Sequence, residues 1–430
     1  MHTRTIVLAC GLAAFLELST APARGENWPQ WRGPHNNGIS SETDVPLTWS
    51  KTENVLWKLP LPGMAGATPV VWEKHIFLTS AEGEDLVLLA VSTEGKELWR
   101  RKLGTGNRAA RGDEGNLAAP SPSTDGKHVW AFVGSGDLAC YDFDGKLVWS
   151  VNLQERYGKF RIQFGMTSTP VLDGDRLYQQ LIPGDRDPKT REAVVFCLDK
   201  LTGREIWKQS RDSEASDENE HSYASPILYR DDQRSYLLTH GADYIVAHSL
   251  DDGHELWRCG GLHPPGSYDR TLRFVASPAC VPGLIVVPSA KQGVILGLRP
   301  DGQGNITDTA QYRLWKYSIT PDVPSPLIYD NYVYLCRENG NLICLDAKTG
   351  AQQYHKRTQS DRHRASPVEA NGRIYTTSRG GIVSVVKAGP QFELLSTNNI
   401  GENISASPAI SGGRIYLRTF DALWAIGSRK

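Results

Sequence analysis

One complete repeat of this chain occupies residues 323–354 and reads VPSPLIYDNYVYLCRENGNLICLDAKTGAQQY. Its Ser325-Pro326 pair precedes the first strand, where proline is tolerated because no hydrogen-bond donor is needed there. The runs that follow are rich in aromatic and β-branched residues, which suit a pleated, half-buried surface. Asn339-Gly340 separates two of these runs and is typical of a tight hairpin turn. Four antiparallel strands in about forty residues are the pattern of one β-propeller blade.

The Ser/Thr-Pro pair that opens this repeat recurs throughout the chain. Successive pairs are 53, 48, 56, 52, 48, 41 and 41 residues apart, so the chain contains eight repeats. The eight pairs are Thr68-Pro69, Ser121-Pro122, Thr169-Pro170, Ser225-Pro226, Ser277-Pro278, Ser325-Pro326, Ser366-Pro367 and Ser407-Pro408. They predict an all-β fold, an eight-bladed β-propeller of four-stranded antiparallel blades.

A second pattern lies deeper in each repeat. In its full form a small residue is followed at fixed spacing by Asp, Gly and Trp, as at Cys197, Asp199, Gly203 and Trp207. The Asp side chain accepts hydrogen bonds from turn amides, and the Gly supplies a turn residue with positive φ. We expect the Trp to dock its large apolar face between adjacent blades.

The strand count predicts how the ring closes. After Pro408 only three strands remain, and the last ends near Trp424. A further outer strand is available near the other end, in the sequence VLWK at residues 55–58. We therefore predict that this N-terminal strand completes the last blade, which leaves no open radial edge.

The first fifty residues differ from the repeats. Residues 1–23 combine a short basic start, an apolar run and an Ala21-Pro22-Ala23 cleavage site, which predicts a signal peptide and a secreted or periplasmic protein. We expect residues 24–50 to form an extended arm that lies on the domain with Trp anchors, and residues 51–430 to form the propeller. A lipid anchor at Cys10 is disfavoured because the apolar run continues beyond it. No later run has the length of a transmembrane helix.

Charge and cysteine usage narrow the chemistry. The net charge of −1 gives no bulk attraction to nucleic acid or anionic membranes, so neither is expected as a partner. Cys140, Cys197 and Cys344 occupy equivalent small positions of their repeats and are predicted to be buried core residues. Cys336 and Cys344 could be cross-strand neighbours, but no disulfide is predicted between them. The cysteine spacing fits no zinc site.

The loops that join one blade to the next are unequal. The first four contain 22, 20, 18 and 20 residues, whereas three later ones contain 10, 12 and 12. Because loops on a rigid scaffold are where binding concentrates, we expect the functional face at this mouth of the channel. The candidate site residues are Arg108, Arg111, Asp113, Glu114, Arg161, Gln163, His221, Tyr223, Arg270, Arg273 and Arg364. They indicate a partly basic, aromatic cleft for an anionic or sugar-like ligand. The alternative is that the charged side chains are solvated at the rim and the aromatic side chains only pack the loops.

The repeats resemble a known family. The pattern of Asp, Gly and Trp after a Ser-Pro strand is similar to the PQQ-type (pyrroloquinoline quinone) repeats of the quinoprotein alcohol dehydrogenase-like superfamily. The stretches WPQWRGP at residues 28–34 and NVLWK at residues 54–58 are similar to secreted bacterial PQQ-binding-like β-propeller repeat proteins. The resemblance implies an eight-bladed ring, in the manner of the BamB-type subunit of outer-membrane protein assembly. It implies little about function, because the motif residues build blades rather than sites.

The resemblance also implies what a cofactor site would need. The dehydrogenases of the superfamily hold PQQ on a tryptophan floor with calcium, and their alcohol-oxidising members carry a disulfide between adjacent cysteines. This chain has no adjacent cysteines and no Trp in the rim loops of its last three blades. We therefore predict no cofactor and no metal, with PQQ and calcium as the alternative.

The resulting functional prediction is a non-catalytic scaffold or binding module that acts through the long loops at one mouth of the ring. Its partners would be envelope or periplasmic proteins, or a small ligand at the channel mouth, and the protein is expected to be a monomer. Two alternatives stay open: a PQQ-dependent alcohol or sugar dehydrogenase, and a receptor for a glycan or an anionic ligand.

Overall fold

The computed structural model describes residues 25–110, 115–183, 193–263 and 268–428. Its strands form eight sheets of four antiparallel strands, arranged as the blades of a propeller around one channel. This confirms the predicted all-β, eight-bladed architecture. Within the described ranges, no helix is both long enough and apolar enough to cross a membrane.

The first four blades follow the first four Ser/Thr-Pro pairs. From the inner to the outer edge, the strands of blade 1 are Val70–Trp72, His75–Glu82, Asp85–Ser92 and Glu97–Thr105. Those of blade 2 are Ser123–Thr124, His128–Phe132, Asp137–Asp142 and Leu147–Asn152. Those of blade 3 are Val171–Asp173, Arg176–Leu181, Val194–Asp199 and Glu205–Ser210. Those of blade 4 are Ile227–Arg230, Ser235–Gly241, Tyr244–His248 and Glu255–Cys259.

The other four blades complete the ring. The strands of blade 5 are Ala279–Val281, Leu284–Pro288, Ile295–Leu298 and Arg313–Tyr317. Those of blade 6 are Leu327–Tyr329, Tyr332–Cys336, Asn341–Asp346 and Gln352–Arg357. Those of blade 7 are Val368–Ala370, Arg373–Thr377, Ile382–Lys387 and Leu394–Asn399. Those of blade 8 are Ala409–Ser411, Arg414–Arg418, Ala422–Ile426 and Val55–Pro60.

Short elements decorate the blades. Gly304–Asn305, from the insertion in blade 5, adds a parallel strand to the outer edge of blade 4. Ile39–Ser40 adds a parallel strand to the inner edge of blade 7. Between blades lie a ribbon of Ala109–Ala110 with Gly115–Asn116, an α-helix at Leu153–Tyr157 and a 3-10 turn at Asp217–Glu220. A second 3-10 turn, Ala310–Tyr312, belongs to the insertion within blade 5.

The N-terminal strand closes the ring as predicted. Val55–Pro60 pairs antiparallel with Ala422–Ile426, and Trp57 lies opposite Ala425 in the register. Trp57 also takes the docking position of blade 8, because its Nε1–H donates to the Thr93 carbonyl of blade 1 at 2.8 Å. The first and last parts of the described chain are therefore held together in one sheet.

Tryptophan docking between blades is also confirmed. The Trp149 indole of blade 2 lies against Gly203 of blade 3 and donates to the Lys200 carbonyl at 2.8 Å. Gly203 has φ +67°, and an added Cβ would come within 2.7 Å of the Trp149 ring. Glycine is required here both by its conformation and by the close approach of the indole.

The N-terminal arm crosses the channel. At its start Trp28 is fully buried and forms a bridge to Val71 of blade 1. Further along, the Arg32 guanidinium donates to the carbonyls of Pro326 and Pro367, in the inner parts of blades 6 and 7. The arm therefore crosses from blade 1 to blade 7.

The cysteines are part of the core. Cys140, Cys197 and Cys344 are fully buried, as the repeat alignment predicts, and burial raises the pKa of the Cys140 thiol to about 12. Cys344 lies opposite Tyr334, and Cys336 lies opposite Leu342. Cys336 and Cys344 are free thiols.

Candidate functional site

A belt of eight hydroxyl side chains surrounds the channel where the inner strands begin. The backbone N–H of each belt residue donates to the side-chain oxygen of the belt residue in the next blade, at 2.9–3.3 Å. The last of these bonds runs from Ser407 back to Thr68 at 3.2 Å, so the belt is continuous. The hydroxyl belt consists of Thr68, Ser121, Thr169, Ser225, Ser277, Ser325, Ser366 and Ser407.

The belt keeps unused hydrogen-bonding capacity. A hydroxyl has one proton to donate and two lone pairs that accept, and its neighbour's N–H occupies one lone pair. Among the described residues, no protein group accepts the proton of any belt hydroxyl. Each belt residue that lines the lumen can therefore both donate to a ligand and accept from one.

The belt encloses a pocket of about 200 Å³ on the channel axis. Seven of the eight belt residues line it, all except Thr68. The other principal lining side chains are Trp31, Ala119, Phe164, Thr167, Tyr223, Arg273, Val275, Val323, Arg364 and Ser405. About half of the lining residues carry a hydroxyl group, and aromatic rings, small apolar residues and two guanidinium groups supply the rest.

Trp31, on the arm, lines this pocket, and we call it the floor of the pocket. Beside it, Arg32 is 3% exposed and donates to three backbone carbonyls, those of Asn37, Pro326 and Pro367, at 3.0–3.1 Å. Burial lowers the pKa of the Arg32 guanidinium to about 9, so the group remains charged at neutral pH. A positive charge therefore lies beneath the floor.

One wall of the pocket is built from two aromatic rings and an arginine. The rings of Phe164 and Tyr223 lie 5.8 Å apart, and the Arg273 guanidinium lies 4.4 Å above the Phe164 ring. Arg273 also forms an ion pair with Glu218 at 3.1 Å. Burial raises the pKa of the Tyr223 phenol, so this wall presents a neutral hydroxyl beside a fixed cation.

The second arginine, Arg364, comes from the loop between blades 6 and 7. Asp322 lies on the loop between blades 5 and 6, close enough to both arginines that their positive charges change its pKa. Burial raises the pKa of Asp322, and Glu338 raises it further, whereas Arg273 and Arg364 act in the opposite direction. The two guanidinium groups thus belong to one electrostatic environment at the pocket.

The structure separates the predicted site residues into groups. Tyr223, Arg273 and Arg364 line the pocket. Arg270 is exposed and paired with Asp217 at 2.8 Å. His221 is buried behind the wall, at 2% exposure. Three more are exposed and do not line the pocket: Arg108, Arg161 and Gln163. Three lie outside the described residues: Arg111, Asp113 and Glu114.

Sequence reasoning did not identify the hydroxyl belt or Trp31 as site residues. Each of the eight repeat prolines follows Ser or Thr, so the belt residues were visible in the sequence. The same pattern is explained by the repeat alone, and it therefore does not indicate a binding site. Trp31 carries no such signal, because its place depends on arm contacts to residues about 290 to 340 positions away.

The fold family implies PQQ and a metal ion, and the described lining does not fit the metal. No carboxylate, His or Cys side chain is among the described residues that line the pocket. Elsewhere in the described ranges, no group of three His, Cys, Asp or Glu side chains is arranged to hold a metal ion. Hard cations such as calcium need several oxygen ligands, usually including carboxylates.

Fold and repeats define the class of the protein as an eight-bladed propeller of PQQ-type repeats. A family model described as outer membrane protein assembly factor BamB matches residues 40–180 and 134–389. The chain belongs to this family. No curated protein matches it.

Several solved structures share the fold at low sequence identity. BamB from Moraxella catarrhalis is similar with a TM-score of 0.62 and 14% identity, over 86% of this chain and 99% of that one. Sqt1 from Saccharomyces cerevisiae gives a TM-score of 0.61 and 11% identity, over 87% and 99%. A europium-containing methanol dehydrogenase gives 0.51 and 13%, over 92% and 90%. At these identities the likeness shows the fold alone.

Proposed function

We propose that this protein is a non-catalytic binding module of the cell envelope that acts through the axial pocket. The observation that carries the proposal is the pocket itself: a concave site on the channel axis, floored by Trp31 and lined by hydroxyl groups and two arginines. Such convergent polar groups in a preformed concavity are typical of ligand sites. The described lining offers no carboxylate, imidazole or thiol to serve as general base or nucleophile.

Export to the envelope is supported by two observations. The basic and apolar start of the chain, with Ala21-Pro22-Ala23, is typical of a secretory signal. The family model is described by the name of an outer membrane protein assembly factor. If a partner protein binds at the same mouth of the channel, the chain acts as a scaffold. The pocket itself favours binding of a small ligand.

A thermal-shift screen tests the proposal. The full chain is heated with organic acids, amino acids, neutral and acidic sugars, and PQQ with calcium, each as a separate sample. We expect at least one solute to raise the melting temperature, because binding to the folded state stabilises it. Ala119→Trp fills the pocket and should abolish this shift. Ala109→Trp changes an exposed alanine that does not line the pocket and should preserve it.

Two results would overturn the proposal. One is a shift that survives in Ala119→Trp, which would place binding elsewhere. The other is saturable binding of PQQ with calcium together with dye-linked oxidation of alcohols or sugars. That second result would favour the dehydrogenase alternative, for which the specific structural observation is the tryptophan floor at Trp31.

A further inference from the structure

We infer that the axial pocket binds a sugar acid, meaning a single pyranose ring that carries a carboxylate; the inference rests on the proposed function. Three features of the lining carry it: the size of the pocket, the hydroxyl belt, and the combination of an aromatic floor with two arginines. Each feature excludes a different simpler ligand.

The volume sets the size of the ligand. The pocket holds about 200 Å³. Drug-sized ligands occupy pockets of about 300–1,000 Å³, so this pocket suits one monosaccharide ring with its substituents. An inorganic oxyanion would leave much of the belt without contact.

The hydroxyl belt sets the polarity of the ligand. Each lining hydroxyl can donate one hydrogen bond and accept another, and the belt presents them around the whole circumference. A polyhydroxylated ring offers the same donor and acceptor pair on successive carbon atoms. Sites built to bind hydroxyl groups reject analogues that lack them, because their own buried polar groups are left unpaired. A simple carboxylate without hydroxyl groups is therefore a poor match.

Two arginines set the charge of the ligand. The guanidinium groups of Arg273 and Arg364 line the pocket, and this planar group binds carboxylates through paired hydrogen bonds. Arg32 adds positive charge from beneath, next to the prolines that follow belt residues Ser325 and Ser366. These positive charges stabilise an acidic sugar more than a neutral one, which takes only ordinary hydrogen bonds from the guanidinium groups.

The floor sets the orientation of the ligand. Trp31 lines the pocket, its indole is a broad apolar surface, and one face of a pyranose ring consists largely of C–H groups. Stacking of these two faces buries apolar area and directs the ring hydroxyls outward to the belt. The carboxylate then lies at the rim of the ring, where the arginines are.

Isothermal titration calorimetry on the full chain tests the inference with four probes: D-galacturonate, D-galactose, acetate and inorganic phosphate. We expect saturable binding of galacturonate, with galactose at least about tenfold weaker because it lacks the charged hydrogen bonds, and no measurable binding of acetate or phosphate. Arg273→Gln should weaken galacturonate at least about tenfold. Arg270→Gln is the matched control, since Arg270 is on the same loop but outside the pocket, and should leave the affinity unchanged.

Other results would overturn the inference. Equal affinity for galactose would indicate a neutral glycan site, and equal affinity for acetate or phosphate would indicate a plain anion site. An equal loss in Arg270→Gln would show that loop charge rather than the pocket binds the sugar. If no sugar binds but another solute stabilises wild type and not Ala119→Trp, the inference fails while the proposed function stands. Circular dichroism shows whether Arg273→Gln is still folded, which separates lost binding from lost folding. Trp31→Phe is a second, more conservative pocket variant for the same comparison.

Discussion

Trp57→Ala removes the side chain that fastens the N-terminal strand to blade 1, and it tests how the ring is closed. The indole lies against Gly95, where an added Cβ would come within 2.6 Å of the ring. Its Nε1–H donates to the Thr93 carbonyl at 2.8 Å, and its ring centroid lies 6.0 Å from that of Tyr416. The contacts with Gly95 and Thr93 join blade 8 to blade 1, and the contact with Tyr416 holds the indole within blade 8.

The expected loss follows from these contacts. Truncation of a fully buried tryptophan costs about 3–5 kcal/mol, and the partial exposure of Trp57 places it at the lower end. The Thr93 carbonyl also accepts from Arg414, so the lost hydrogen bond leaves no unpaired acceptor and contributes only about 1 kcal/mol. We expect the free energy of opening the strand Val55–Pro60 to fall by about 3 kcal/mol. Its amide exchange should then become roughly 100-fold faster.

Hydrogen-exchange mass spectrometry on peptides that cover Val55–Pro60 measures this opening. Trp99→Ala is the matched control, because it removes the equivalent docking contact between blades 1 and 2, where Trp99 donates to the Phe143 carbonyl. In that variant exchange should rise in Glu97–Thr105 while Val55–Pro60 stays protected. Unchanged protection of Val55–Pro60 in Trp57→Ala, or equal loss of its protection in Trp99→Ala, would refute the reasoning.

Three further substitutions test other contacts. Burial raises the pKa of Glu369 to about 7, so the folded state binds more protons than the unfolded state between about pH 4.5 and 7. The free energy of unfolding should therefore fall by about 3 kcal/mol as the pH rises across that window. Glu369→Gln should remove this pH dependence, as measured by urea unfolding. Gly203→Ala should lower the melting temperature more than Gly174→Ala does, because both glycines have positive φ but only Gly203 also meets an indole, that of Trp149. Ser325→Ala removes the acceptor of the Ser277 N–H and should cost about 1–2 kcal/mol in urea unfolding, whereas Ser325→Thr, which keeps the hydroxyl, should cost much less.

Each of these has a contradicting result. An unchanged pH dependence in Glu369→Gln would assign the titration to another group. Equal effects of the two glycine substitutions would show that backbone strain alone matters at Gly203. Full stability of Ser325→Ala would mean that the hydroxyl belt does not contribute to the ring.

The fold could be predicted from the sequence because its determinants are local and repeated. The Ser/Thr-Pro pair, the turn glycine and the docking tryptophan recur at fixed spacing, so strand order and ring closure follow from counting. Val55–Pro60 was predictable as the closing strand because only three strands follow Pro408 and the sequence VLWK at residues 55–58 offers a fourth.

The site was predictable only in part. Tyr223, Arg273 and Arg364 line the pocket, but Arg270 and Arg273 are three residues apart on one loop and nothing local distinguishes the exposed arginine from the pocket arginine. The floor was not predictable, because the position of Trp31 depends on how the arm crosses the channel. That path is fixed by non-repeated contacts such as those of Arg32 with distant carbonyls.

The most direct test of the central claim, that the axial pocket is the working site, is a crystal structure of the mature protein grown with D-galacturonate. We expect one sugar ring stacked on Trp31, with its carboxylate in hydrogen-bond contact with Arg273 and Arg364 and its hydroxyls on the belt. Sugar density on another face of the ring, with the pocket filled only by water, would contradict it.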